Sequence, residues 1–251
     1  MNVRPQLPRR KTIARTVRSL ASRFYFEGVV RRTLQQTVEA RVLGYTLVIP
    51  PTVFHPKFYF TSSILGSFIQ HLDLHGKTVL DVGCGSGILA LAAASAGANV
   101  TAIDINPVAV EATKANARQN DLGDRIDVLV CDICSGLSGI RNQVDVIITN
   151  PPYYQKDPGA PTEWAFHGGA SNEFMVRLAE ASLDLLSPRG SILMVLSSDV
   201  DESRTLEPFT SRAFQHAILT ETRRFFELIH VVRLDRTAMP HEAVEQTSTR
   251  S

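Results

Sequence analysis

The stretch Thr78–Gly87, TVLDVGCGSG, constrains this chain more than any other. Thr78, Val79, Leu80 and Val82 form a short β-branched, apolar run, as in a strand covered on both faces. Gly83, Gly85 and Gly87 follow at every second position, where a missing Cβ lets the backbone turn tightly and a ligand come close. Ile88–Ala96 then reads as an Ala/Leu helix stopped by Gly97. Strand, glycine loop and helix open a doubly wound α/β sheet, and such sheets bind ligands beyond the C-terminal ends of their strands. The plain alternative is a tight βα turn with no ligand.

The spacing of the loop narrows the ligand. A dinucleotide fingerprint needs glycine where Ile88 stands, and a P-loop needs a lysine that is absent here. Asp81 precedes the first glycine by two residues, giving Asp-x-Gly-x-Gly-x-Gly. This resembles the first motif of the class I S-adenosylmethionine-dependent methyltransferases. The resemblance implies a cationic sulfonium cofactor without phosphate, in keeping with a loop that carries an acid and no base. It assigns Asp81, Gly83, Gly85 and Gly87 to cofactor binding.

Further strands end in acids. Asn99–Ile103 runs into Asp104, and Asn106 followed by Pro107 is a strong helix start. A carboxylate at the tip of a second strand can accept from both hydroxyls of a ribose, the role expected of Asp104 with Ile105 beside it. Ile126–Cys131 ends in Asp132; by the resemblance this acid accepts from the adenine amine of the cofactor, with the Ile133 N–H available to the ring. Val144–Thr149 ends in Asn150-Pro151-Pro152-Tyr153, and Gly190–Ser198 follows an amphipathic helix with Phe174, Leu178, Leu183 and Leu186 on its inner face. Ala217–Glu221 and Phe226–Leu234 read as a hairpin around Thr222–Phe225. The expected fold is α/β: a doubly wound, mostly parallel seven-stranded sheet with a closing antiparallel C-terminal hairpin.

Asn150-Pro151-Pro152-Tyr153 resembles the N/D-P-P-Y/F signature of methyltransferases that act on a planar nitrogen. The lone pair of such a nitrogen is delocalised and attacks carbon poorly. The Asn150 side-chain carbonyl and the Pro151 backbone carbonyl can each accept one N–H of an NH₂ group, fixing it for attack and stabilising the charge that grows on it. The prolines fix φ and offer no competing N–H, and Tyr153 stacks on the planar group. His167, beside Gly168 and Gly169, is a candidate for lining the substrate pocket or a loop histidine without a role. The segment Trp164–Gly169 followed by Leu185–Gly190 resembles protein-glutamine methyltransferases of release factors. A glutamine amide is therefore the expected acceptor. Adenine in RNA or DNA and a small metabolite are the competing acceptors, and a fold retained as a scaffold is the non-enzymatic one.

Upstream, Val42–Ile49 reads as a strand around Gly44, and Phe54–Phe60 as an aromatic lid or cofactor wall. Thr61 or Ser62 is expected to cap a helix running through Leu72. Residues 1–26 hold seven basic side chains and no acid, which leaves 19 basic against 25 acidic residues in the rest of the chain. Ile13, Val17, Leu20 and Phe24 fall at helical spacing among them, open to three readings: a packed helix, a basic arm for RNA or an acidic protein, or a mitochondrial presequence. Residues 1–41 are thus taken as a basic arm, 42–236 as the methyltransferase domain and 237–251 as a polar tail. The chain has 251 residues, 44% hydrophobic and 20% charged, with no apolar run near the roughly 20 residues that cross a bilayer. Cys84, Cys131 and Cys134 are too few for a disulfide framework, and Cys131-x-x-Cys134 lacks the second half of a zinc site. A cytoplasmic protein without metal or membrane contact, acting on a macromolecule, is the expectation.

Overall fold

A computed structural model describes residues 36–56, 60–133, 137–152, 172–224 and 227–237. The strands are β1 Val38–Val42, β2 Tyr45–Ile49, β3 Thr78–Val82, β4 Asn99–Asp104, β5 Ile126–Val130, β6 Val144–Thr149, β7 Leu186–Ser197, β8 Phe214–Arg224 and β9 Glu227–Arg236. The helices are α1 Phe60–Ile69, α2 Ile88–Ser95, α3 Pro107–Gln119, α4 Glu173–Leu185 and α5 Glu202–Thr210. Seven strands form one sheet in the order β5-β4-β3-β6-β7-β9-β8, parallel except where β9 pairs antiparallel to both β7 and β8. The order reverses between β3 and β6, which makes that pair of strand ends the switch point of the sheet.

Alternation along the strands builds two cores. Val79, Val100, Val128, Ile148 and Val195 point to one face, against α1, α2, α3 and the β1–β2 hairpin. Leu80, Val82, Ile103, Ile147 and Met194 point to the other, against α4 and α5. α2 is buried along nearly its whole length, because Ala and Leu let it lie flat on the sheet. Asn106 starts α3 as its sequence requires, its side-chain oxygen accepting from the Val108 N–H at 3.0 Å with Pro107 at the first helical position.

The structure differs from the sequence reading in several places. Residues 42–49 are not one strand but the second half of a hairpin that begins at Val38, so the expected boundary between residues 41 and 42 falls inside β1. The turn is Leu43–Gly44, both with positive φ, at 53° and 89°. α1 already includes Phe60, so Thr61 and Ser62 lie within its first turn instead of preceding it, and it ends at Ile69 rather than Leu72. β7 begins at Leu186 and shifts register between Val144 and Val146 of its neighbour. The C-terminal hairpin is longer than expected, pairing Phe214 with Arg236 at one end and Arg224 with Glu227 at the other. Residues 1–35, Phe58, Tyr59, Cys134, Tyr153, His167 and the tail from residue 238 lie outside the described residues.

Candidate active site

The ends of four adjacent strands bring the singled-out residues into one row. Going from the sheet edge inward, Asp132 follows β5, Asp104 ends β4, the glycine loop follows β3, and Asn150 follows β6. Val82 is paired with Thr149, so Gly83 and Asn150 leave neighbouring strands side by side. The Thr149 hydroxyl donates to the Val82 carbonyl at 2.9 Å and ties the two ends together.

The loop is fastened from several directions. The N–H groups of Gly83 and Cys84 both donate to the Ile103 carbonyl, at 2.9 and 3.0 Å. One Asp104 oxygen accepts from the Gly85 N–H and the other from the Asn106 N–H, each at 2.9 Å. Burial raises the Asp104 pKa above the usual carboxylate value, against the pull of the Asn106, Gly85 and Ile105 N–H groups. From α3, the Thr113 hydroxyl donates to the Gly85 carbonyl at 3.0 Å and the Asn116 amide to the Ser86 carbonyl at 2.9 Å. Burial also pushes the Cys84 thiol well up, so this cysteine is an inert packing residue.

The three glycines are not equivalent. Among the described residues a Cβ at Gly83 would meet nothing within 4 Å, which leaves open space in front of the loop there. A Cβ at Gly85 would touch Phe54 at 3.7 Å, which sets the 50–56 segment against the loop. A Cβ at Gly87, where φ is 83°, would lie 2.9 Å from the Thr113 methyl; this glycine serves the packing of α2 on α3.

Asp81 stands apart from the other acids. It is fully buried on β3, and among the described residues neither of its oxygens has a hydrogen-bond partner. Burial pushes its pKa up to about 8; the Ala90 N–H draws it down and the Asp104 charge adds to the rise. A buried carboxylate with no more than a weak pull from one backbone N–H is costly unless something brings it a charge or a better donor. Together with the open space at Gly83, that fits a cationic ligand on the loop. Ile105, 53% exposed beside Asp104, offers bare apolar surface on the same side.

Sequence reasoning missed four contributors. Arg177 of α4 forms an ion pair with Asp132, so the acid expected to meet adenine already has a cationic neighbour. Asn116 accepts from the Val48 N–H at 2.8 Å and donates to its carbonyl at 3.1 Å, as a neighbouring strand would, while also holding Ser86. Asn120 does the same for Thr46, at 2.9 and 2.8 Å. Two asparagines four apart, one in the last turn of a helix and one at its C-cap, were the available signal, since asparagine is a poor helix former. The fourth is Ser62, whose hydroxyl accepts from the Asn150 amide nitrogen at 2.8 Å. Ile133 is buried in the core that also holds Leu80, Val82 and Ile103, and Pro151 is buried next to Asn150.

Residues 61–151 match a family model described as ribosomal protein L11 methyltransferase, PrmA. Chains described as ribosomal protein L11 methyltransferase from Alteromonas mediterranea and Vibrio vulnificus are 44% identical over 101 residues and 46% over 92. Each match covers 36% of this chain, and the chain spans about a third of those relatives, 35% and 30%. Among solved structures, a ribosomal protein L11 methylase from Lactobacillus delbrueckii subsp. bulgaricus superposes with a TM-score of 0.53 at 22% identity, covering 74% of this chain and 81% of its own. TYW2 of Pyrococcus horikoshii in complex with MeSAdo gives 0.56 at 16% identity, covering 81% and 73%. The chain shares the fold of these solved structures. The family match stops at Pro151, so it takes in the whole glycine loop and breaks off inside the Asn150–Tyr153 motif.

Proposed function

We propose that this protein is an S-adenosylmethionine-dependent N-methyltransferase whose acceptor is a planar NH₂ nitrogen, a glutamine side-chain amide in a protein. The observation that carries the reading is the adjacency of Gly83 and Asn150 at the switch point of the sheet. It gives a ligand on the loop and a group held by Asn150 neighbouring places.

Asp81, the loop around Gly83 and Gly85, Asp104, Ile105, Asp132 and Ile133 are the residues assigned to the cofactor. S-adenosylmethionine, when bound, supplies a methyl group activated by a positively charged sulfur. Asp81 meets positive charge from beneath the loop. Asp104, although it already accepts two backbone N–H groups, keeps lone pairs on each oxygen for ribose hydroxyls. Asn150 and the Pro151 carbonyl each accept one N–H of the acceptor, and Tyr153 stacks on its plane. The site needs no charged base, because the acceptor nitrogen becomes acidic only as the new bond forms.

A protein acceptor is supported by the names of the matched relatives, which refer to a ribosomal protein. The motif at Asn150 supports a planar nitrogen within it. One labelling reaction tests both. With tritiated-methyl cofactor and a cell extract, label that survives ribonuclease and is lost to protease is expected. The reverse pattern moves the acceptor to adenine in nucleic acid, and label in the small-molecule fraction removes both. Calorimetry that detects neither S-adenosylmethionine nor S-adenosylhomocysteine binding overturns the enzyme reading altogether.

A further inference from the structure

We infer that Ser62 is a positioning residue for Asn150: by accepting from the amide nitrogen it fixes the plane of the side chain and turns the amide oxygen to the acceptor. The inference rests on the acceptor reading just given. Its geometric basis is the 2.8 Å hydrogen bond from Asn150 Nδ2 to Ser62 Oγ, made between residues 88 apart in sequence.

Asn150 follows the last residue of β6, so the strand ladder fixes its backbone but not its side chain. An amide has a donor end and an acceptor end of nearly the same shape. Only the oxygen is useful toward an NH₂ group; the nitrogen there would set donor against donor. The hydroxyl on the other side holds the amide in one plane, and with the Nδ2 hydrogen given to it the oxygen is left for the acceptor. It also completes a chain from the acceptor N–H through the amide oxygen and the amide N–H to Ser62. In such a chain each hydrogen bond polarises the next, so positive charge growing on the acceptor is felt as far as the hydroxyl.

Ser62 is well placed to hold still. It is 4% exposed, in the first turn of α1, and the same helix buries Leu65 and Ile69 completely in the core. The next residue, Ser63, donates to the Pro56 carbonyl at 3.0 Å and pins the chain ahead of the helix. A group whose own position is locked by packing is what a precise side-chain orientation requires.

The test is a double-mutant cycle read by steady-state kinetics. Ser62→Ala should lower kcat about tenfold while cofactor affinity and thermal midpoint stay close to native, and Ser62→Thr, which keeps the hydroxyl, should restore most of the rate. On the Asn150→Ala background the same Ser62→Ala change should cost nothing further, because there is no amide left to orient. A residue with only a structural role would cost the same in both backgrounds. Should Ser62→Ala fail to fold, Ser62→Cys keeps the volume with a poor acceptor and gives the same reading. A silent Ser62→Ala, or a loss repeated in full without Asn150, overturns the inference. An Asn150→Ala protein that keeps native turnover instead removes the acceptor reading beneath it.

Discussion

The loop after β3 and the tip of β6 lie side by side, yet they are held in opposite ways. The loop is fastened by backbone and side-chain bonds from β4 and α3, through Ile103, Asp104, Thr113 and Asn116. Losing one would leave the others. At the tip of β6 the Asn150 side chain, assigned to the acceptor, is hydrogen-bonded to a hydroxyl from α1, with prolines to stiffen the backbone behind it. The loop itself should therefore keep its shape when one of these bonds is lost, whereas turnover should fall steeply when the Asn150 amide is removed.

The sharpest way to break that contrast is Asn150→Ala. It should reduce kcat by about 100-fold or more, the usual loss when one donor or acceptor to a developing charge is removed, with cofactor affinity changed by only a few-fold. Equal losses in kcat and in S-adenosylhomocysteine affinity would merge the two regions into one. Next in size is Asn116→Ala. It strips buried hydrogen bonds from Val48 and from the loop at Ser86, at a cost of about 2–3 kcal/mol in unfolding free energy by denaturant titration. A change below about 0.5 kcal/mol would mean that water replaces the amide on both sides.

Much of the loop side was legible because its signals are local. Three glycines at alternate positions, an acid two residues earlier and an Asn-Pro helix start are each read within a few residues. Asp104 and Asp132 stand where strands end, which periodicity alone locates. The hairpin was missed because its two-residue turn places Leu43, a side chain that rarely takes positive φ, ahead of Gly44. With the turn hidden, residues before Val42 were counted as part of the arm although they pair with β2. The contributions of Ser62, Asn116 and Arg177 were invisible for another reason. Each acts on a partner 30 or more residues away, and no spacing along the chain announces such a meeting.

Asp104→Ala sharpens the loop side alone. It removes the acceptor that holds the Gly85 and Asn106 N–H groups and the acid assigned to the ribose. S-adenosylhomocysteine affinity should fall by about 1.5–3 kcal/mol in calorimetry, as expected for hydrogen bonds to a charged group. With saturating cofactor, kcat should stay within a few-fold of native. An unchanged affinity would confine Asp104 to holding the loop.

The smallest change in affinity comes with pH, through Asp81. Its folded pKa is about 8 against an ordinary value of 3.8, so between these limits the free folded protein binds a proton that the unfolded chain releases. With more protons bound in the native state, stability falls as pH rises through that window and levels off above about 8. A cationic ligand over the carboxylate favours its ionised form, so binding below pH 8 must expel the proton. S-adenosylmethionine affinity should rise about tenfold from pH 6 to pH 7, following the ionised fraction of a group with that pKa. At pH 6 the calorimetric heat should depend on the ionisation enthalpy of the buffer, in proportion to about one proton released per site. Asp81→Asn should abolish both dependences while leaving the loop bonds from Asp104 and Asn116 in place. Heats that are independent of buffer in the native protein would mean that Asp81 stays protonated under the ligand, and the loop would then bind through its backbone and Asp104 without a buried countercharge.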